Sequence, residues 1–387
     1  MEREIYFDNS ATTRVHPDVA DLVHETMLRN YGNPSSLHKK GVQAERAVTN
    51  ARKILASAWQ ATPEEVYFTS GGTESNNTAI KGIAQAYKNR GNHIITSNIE
   101  HPSVLNVFDR LEELGLKVTF LKVKENGIID PEELKEFLTE QTILVSLMHV
   151  NNEVGSIQPI SEVGKILADY GKKVFFHVDA VQSFGKLEVC PVKWGVDLMS
   201  VSGHKIHGPK GIGALFVRKG TRLEPLVEGG GQEKDLRSGT ENVPGIVGLG
   251  KAVEIAVKNR ELYSHKVRAI KDTLAMRIKD RIPRCRINSN LDHSGAPHIL
   301  NVSFPGIKSE VLLHYLEQDC IYVSSGSACS AKKGQLSHVL TAMNLTEAEK
   351  EGSIRFSFSY MNDVEDVIPV VESVTKAVNE LRSLMGG

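Results

Sequence analysis

Val66-Tyr67-Phe68-Thr69-Ser70-Gly71-Gly72-Thr73-Glu74-Ser75-Asn76 is the stretch that decides the fold class. Its first four residues are mostly aromatic or β-branched and read as a short buried strand. Two glycines then make a turn, and the polar residues after them open a helix predicted over 75–88. The same alternation continues along the chain. Runs at 93–96, 117–123, 143–150 and 174–178 are apolar and rich in Val and Ile, whereas 42–59, 102–114 and 160–170 carry apolar residues at helical spacing. Strands alternating with helices imply βαβ units and a mostly parallel sheet covered on both faces. Two more strands, at 197–202 and 214–217, make the expected sheet seven-stranded. After Pro244 a helical pattern runs through Ile282, long enough to be interrupted or to bridge two domains. A smaller α/β unit follows, with strands at 298–304, 321–323 and 354–359 and helices at 311–318 and 364–384. The expected division is a large domain over 15–255 and a small one from 1–14 and 256–387.

With 387 residues, 40% apolar and 24% charged, the composition is that of an ordinary soluble globular protein. The net charge of -1 gives no basic excess for direct nucleic-acid binding or for an anionic membrane surface. The charged start Met1-Glu2-Arg3-Glu4-Ile5 has no leader-like apolar stretch, and no run approaches the roughly 18 apolar residues of a membrane span. A cytoplasmic protein is expected. Of the cysteines Cys190, Cys285, Cys320 and Cys329, none forms a Cys-x-x-Cys pair or a zinc-type spacing. The ordinary reading of each is a small buried apolar residue.

In a parallel α/β sheet, ligands gather at the C-terminal ends of the strands, and the polar clusters of this chain fall there. Ser70 to Asn76 offers glycines for close backbone approach and helix-start N–H groups for an anion such as phosphate. No Gly-Lys-Ser/Thr follows, so it is not a Walker A loop. Asp179, in His177-Val178-Asp179-Ala180-Val181-Gln182, ends a buried strand and needs a partner there. A protonated pyridine nitrogen would serve, and so would a metal, since His-x-Asp is also a ligand spacing. Lys205, in Ser202-Gly203-His204-Lys205-Ile206-His207-Gly208, follows a strand in a position suited to Schiff-base chemistry. Phosphate-type donors, an acid at a strand end and this lysine together are what pyridoxal phosphate (PLP) requires. Ser324-Ser325-Gly326-Ser327-Ala328-Cys329-Ser330 surrounds one cysteine with small residues, a context for an accessible thiol.

These pieces resemble the cysteine desulfurases of the NifS/IscS type, class V aminotransferases with the fold of type I PLP enzymes. Tyr6-Phe7-Asp8-Asn9-Ser10-Ala11-Thr12-Thr13, Gly32-Asn33-Pro34-Ser35-Ser36, Glu100-His101, His149 to Gly155 and Arg237-Ser238-Gly239-Thr240 match as well, so the resemblance covers nearly the whole chain. It implies that Lys205 binds PLP covalently, that Asp179 pairs with the ring nitrogen, and that His101 stacks on the ring and transfers protons. It implies that Gln182 contacts the ring oxygen and that Asn152 lies near ring and substrate. Gly72, Thr73, Ser202 and His204 correspond to phosphate-binding positions, and Thr240 to a phosphate contact made across a homodimer. Arg355 resembles the arginine that holds the substrate carboxylate, a task suited to a bidentate guanidinium. Cys329 resembles the nucleophile that takes sulfur from L-cysteine as a persulfide, leaving alanine. His101 is then the candidate to take the substrate thiol proton. A sulfur-acceptor protein such as an iron–sulfur scaffold is the implied partner. No resident metal is implied, although Cys329 could meet a partner's iron–sulfur cluster. Ala331-Lys332-Lys333-Gly334-Gln335 and Phe358-Ser359-Tyr360-Met361-Asn362 depart from the family pattern. Competing readings are another class V PLP enzyme, a metal hydrolase using His177, Asp179 and His204 or His207, and a non-catalytic sulfur carrier.

Overall fold

The computed structural model describes residues 4–325 and 336–384. Among these residues, thirteen strands are distributed over three sheets. In chain order they are β1 (Ile5–Tyr6), β2 (Val66–Thr69), β3 (His93–Ser97), β4 (Lys117–Leu121), β5 (Thr142–Met148), β6 (Phe175–Asp179), β7 (Leu198–Ser202), β8 (Gly213–Val217), β9 (Arg286–Ile287), β10 (Ile299–Ser303), β11 (Ile321–Tyr322), β12 (Ser324–Ser325) and β13 (Ser353–Ser357). The large sheet has the order β2-β8-β7-β6-β5-β3-β4, with β8 antiparallel to both its neighbours and the β7-to-β4 side parallel throughout. This is the expected mostly parallel seven-stranded sheet.

The large unit carries the helices α1 (Pro17–Arg29), α2 (Lys39–Trp59), α3 (Gly72–Ala86) and α4 (Pro102–Glu113). α3 begins three residues before the expected Ser75, so Gly72 and Thr73 lie inside its first turn. Both faces of the sheet are covered by apolar clusters. One gathers Leu55, Trp59, Val145 and Met199 with α2, and the other gathers Ile80, Ile83, Phe108 and Leu144 under α3 and α4. A buried pair locks the β2 edge. Arg52 donates from both terminal nitrogens to the Glu233 carboxylate at 2.6 and 2.8 Å, and Glu233 also accepts the Phe68 N–H at 2.8 Å.

The long helical stretch after Pro244 is indeed two helices, Val243–Lys258 and Arg260–Arg281. They meet at Asn259, whose amide donates to the Ile255 carbonyl. The smaller unit is an antiparallel sheet β12-β13-β10-β9 with its own core of Leu300, Val302, Phe356, Val370 and Val374. The N-terminus belongs here: β1 pairs in parallel with β11, and Ile5 and Phe7 are buried in this core. The short helix His338–Ala342 goes the other way. Val339, Leu340 and Met343 pack into the core of the large unit, although they lie beyond residue 256. Among the described residues, no helix is long and apolar enough to cross a membrane.

Candidate active site

A cavity of about 330 Å³ opens at the C-terminal ends of the parallel strands, bordered also by β13 and the N-terminal segment. Asp179 ends β6, Ser202 ends β7, and His204 and Lys205 form the tight turn after it. Gly72, Thr73 and Asn76 come from the start of α3, and His101 caps α4. Gly72, Thr73, His101, Asn152, Asp179, Gln182, Ser202, His204, Lys205 and Arg355 all border this one space. Thr240 does not. It is exposed in the loop before the Val243 helix, and its neighbour Arg237 pairs with Glu74 of α3 at 3.0 Å. Cys329 lies outside the described residues.

The Lys205 ammonium donates to the carbonyls of Ser10 and of Ala11, the latter at 2.7 Å. Gln182 donates to the same Ser10 carbonyl at 2.9 Å, so the N-terminal segment braces both side chains. Asp179 is buried and accepts from Asn76 Nδ2 at 2.8 Å and from the Val181 N–H at 3.0 Å, both neutral donors. On β13, the buried Arg355 donates to the Asn152 carbonyl and to Asp8, both at 2.8 Å, while its Nε is buried without a partner among the described residues. His101 Nδ1 accepts the Ser103 N–H at 3.1 Å and sits 2.8 Å from Ser103 Oγ. Burial pushes His101 below the usual imidazole range, as does the positive charge of Lys205, while Asp179 acts in the opposite direction. His204 falls to about 4 through burial and then the nearby Lys205, Lys210 and Lys186.

Pyridoxal phosphate fits these residues on two structural counts. A buried carboxylate held by neutral donors can take a protonated ring nitrogen. The N-terminus of the long helix α3 can take a phosphate, and there Gly72 leaves room that a Cβ would take up, at 2.6 Å from Val181 Cγ2. The metal reading fares worse. Both ring nitrogens of His177 are spent inside the sheet, on Ser146 Oγ at 2.8 Å and Ser200 Oγ at 2.9 Å.

Some residues around the cavity were given no role from the sequence. Lys186, half-buried beside the cavity, donates to Gln182 Oε1 at 3.4 Å, and burial, then Lys205 and Arg355, lower it to about 7. Glu100 lies directly before His101, and burial pushes its carboxyl up to about 8. It accepts from Ser97 Oγ at 2.5 Å and from the Met148 N–H at 3.0 Å. Because the folded carboxyl binds its proton more tightly than the unfolded one, the contribution of Glu100 to stability decreases as pH rises from about 4.5 to about 8. Glu100→Gln, which stays neutral, is expected to flatten that part of the curve, read by urea unfolding at a series of pH values. Glu153, raised to about 7 by burial, receives the Ser337 hydroxyl at 2.5 Å. His338 Nε2 donates to the Glu100 carbonyl at 2.9 Å. The chain after residue 335 is thus tied down beside the cavity. Before residue 326, β12 pairs with β13, placing Ser324 opposite Arg355.

Residues 5–370 match the Aminotransferase class-V family. A cysteine desulfurase IscS of Dictyoglomus turgidum is 41% identical over 384 residues, which is 99% of this chain and 97% of that relative. A solved structure of a NifS-like protein superposes with a TM-score of 0.92 at 38% identity, covering 97% of this chain and 100% of the other. SspA in complex with cysteine superposes at 0.80, also with 38% identity, over 92% of this chain and 98% of that one. Architecture, cavity and these likenesses agree: the chain belongs to the class V aminotransferases and, among them, to the PLP-dependent cysteine desulfurases of the NifS/IscS type.

Proposed function

We propose that the protein removes sulfur from L-cysteine, releasing L-alanine and carrying the sulfur as a persulfide on Cys329. The observation that carries the reading is the convergence of Lys205, Asp179, His101 and Arg355 on one cavity. Pyridoxal phosphate, when bound, supplies the electron sink that acidifies Cα of an amino acid. Lys205 would hold it, and its free amine would take the Cα proton at Nζ. Asp179 keeps the ring nitrogen protonated. The start of α3 with Gly72 and Thr73, together with Ser202 and His204, would hold the phosphate, and Gln182 would contact the ring oxygen. Arg355 holds the substrate carboxylate beside Asn152. The Cys329 thiolate then forms the S–S bond as the substrate C–S bond breaks.

The sulfur passes on to an acceptor protein such as an iron–sulfur scaffold or an enzyme of thio-modification. The enzyme acts as a cytoplasmic homodimer in which Thr240 of one copy serves the phosphate of the other. Its large domain spans 15–255 and its small domain 1–14 with 256–387, with His338–Ala342 packed on the large one.

Incubation with cysteine is expected to yield alanine together with sulfane sulfur on Cys329. Alanine without sulfur on that residue would remove the persulfide role, and no alanine at all would remove the desulfurase reading. Arg355→Ala is expected to raise KM for cysteine roughly 10- to 100-fold, the scale of a lost charge-assisted carboxylate contact of about 1.5–3 kcal/mol. Steady-state kinetics check it, with unfolding curves to register the loss of the Asp8 pair.

A further inference from the structure

The loop after β6 folds back on itself and brings two polar side chains together. The Ala180 carbonyl takes the N–H groups of Ser183 and Phe184, and the Ser183 carbonyl takes those of Lys186 and Leu187. Gly185 allows the second turn. Its φ is 74°, and a Cβ there would stand 3.0 Å from Ile206 Cγ2. Lys186 is thereby carried back to Gln182, four positions earlier.

Only one orientation of the Gln182 amide satisfies its neighbours. The Ser10 carbonyl can only accept, so the amide atom 2.9 Å from it is Nε2. Oε1 then faces Lys186 Nζ at 3.4 Å and accepts from it, whether the amine is charged or neutral. Gln182 borders the main cavity, whereas Lys186 borders the small one behind Lys205. Nε2 therefore keeps a second hydrogen for an acceptor in the main cavity. A lysine is costly at this place. Burial, Lys205 and Arg355 all disfavour its charge, with no carboxylate to offset them among the described residues. What its side chain does supply is a donor for Oε1.

We propose that Lys186 is a positioning residue: it holds the Gln182 amide with Oε1 turned out of the main cavity, so that Nε2 offers its second hydrogen to the ring oxygen of pyridoxal phosphate. With the amide reversed, Oε1 would face the Ser10 carbonyl, acceptor against acceptor. The inference rests on the assignment of Gln182 to that ring oxygen.

The test is titration of pyridoxal phosphate into enzyme stripped of it, followed by growth of the visible band. Gln182→Leu removes the donor itself and is expected to weaken binding roughly tenfold. Lys186→Met removes only the brace and should weaken it roughly fivefold. It takes a costly charge out of the interior, so the fold is expected to survive. Lys186→Arg keeps an N–H for Oε1 and should stay within about twofold of the wild type. Added to Gln182→Leu, Lys186→Met should cost nothing further, because both changes act through one amide. If Lys186 served only charge or packing, the two losses would multiply in the double variant, and that result would overturn the inference. Wild-type affinity in Lys186→Met would overturn it too. Unchanged binding in Gln182→Leu would strike the reading of Gln182 itself, a failure seen before Lys186 is altered.

Discussion

Lys205→Ala is expected to lose the visible band of lysine-linked cofactor and to slow alanine formation from cysteine by roughly 10²–10⁴-fold, the usual worth of a positioned acid–base group. The band should vanish because, among the described residues, no second lysine borders the cavity. Lys186 lies on the far side of Lys205, is engaged with Gln182, and faces a separate small cavity of about 40 Å³. The change also strips two carbonyls of a donor, but Ser10 keeps its bond from Gln182, so the fold is expected to survive. Absorbance spectra and an alanine assay on the same preparation decide the matter. An unchanged spectrum would refute the assignment of Lys205.

Cys329→Ala is expected to give the complementary result: visible absorbance retained, sulfane sulfur absent, and alanine formation from cysteine down at least roughly 100-fold. The segment that carries Cys329 departs from the described chain at two anchors beside the cavity, β12 opposite Arg355 and the Ser337–Glu153 bond. The substitution leaves Lys205 and Asp179 and their hydrogen bonds in place. Turnover near the wild-type rate in this variant would show that sulfur leaves cysteine by another route. The two variants together separate binding of the cofactor from capture of the sulfur.

The large sheet was legible because its central strands are buried on both faces, which forces continuous runs such as Thr142–Met148. What stayed hidden was short or only lightly apolar. β1 has two residues and draws its order from β11, more than three hundred positions away. α1 buries only Val19 and Thr26, too few to make a stripe. The break at Asn259 carries neither glycine nor proline. The expected strand over 143–150 ends at Met148, and Val150 pairs instead with Ile157.

The cavity was legible where chemistry needs a particular residue at a strand end, as with Asp179 and Lys205. It was not legible where a common residue acts through a contact made only on folding. Asn76 and Ser103 look like ordinary helix-start residues, and Glu100 and Glu153 like surface acids, until burial and their partners are seen. Cys329 is a separate case, since its role came from resemblance and not from its neighbours. Thr240, exposed and outside the cavity, is likewise a position whose role came only from resemblance.

The N-terminal segment sets the order in which the enzyme can be made. Asp8, Ser10 and Ala11 are made well before their partners, since Arg355 lies 347 positions after Asp8 and Lys205 lies 195 after Ser10. The large sheet can form while synthesis continues, whereas β1 has to wait for β11 and β13 to emerge. Closing so long a loop is slow and comes late. A nascent chain that stops short of residue 355 therefore holds the strands of the large sheet without the Asp8–Arg355 pair that closes one side of the cavity.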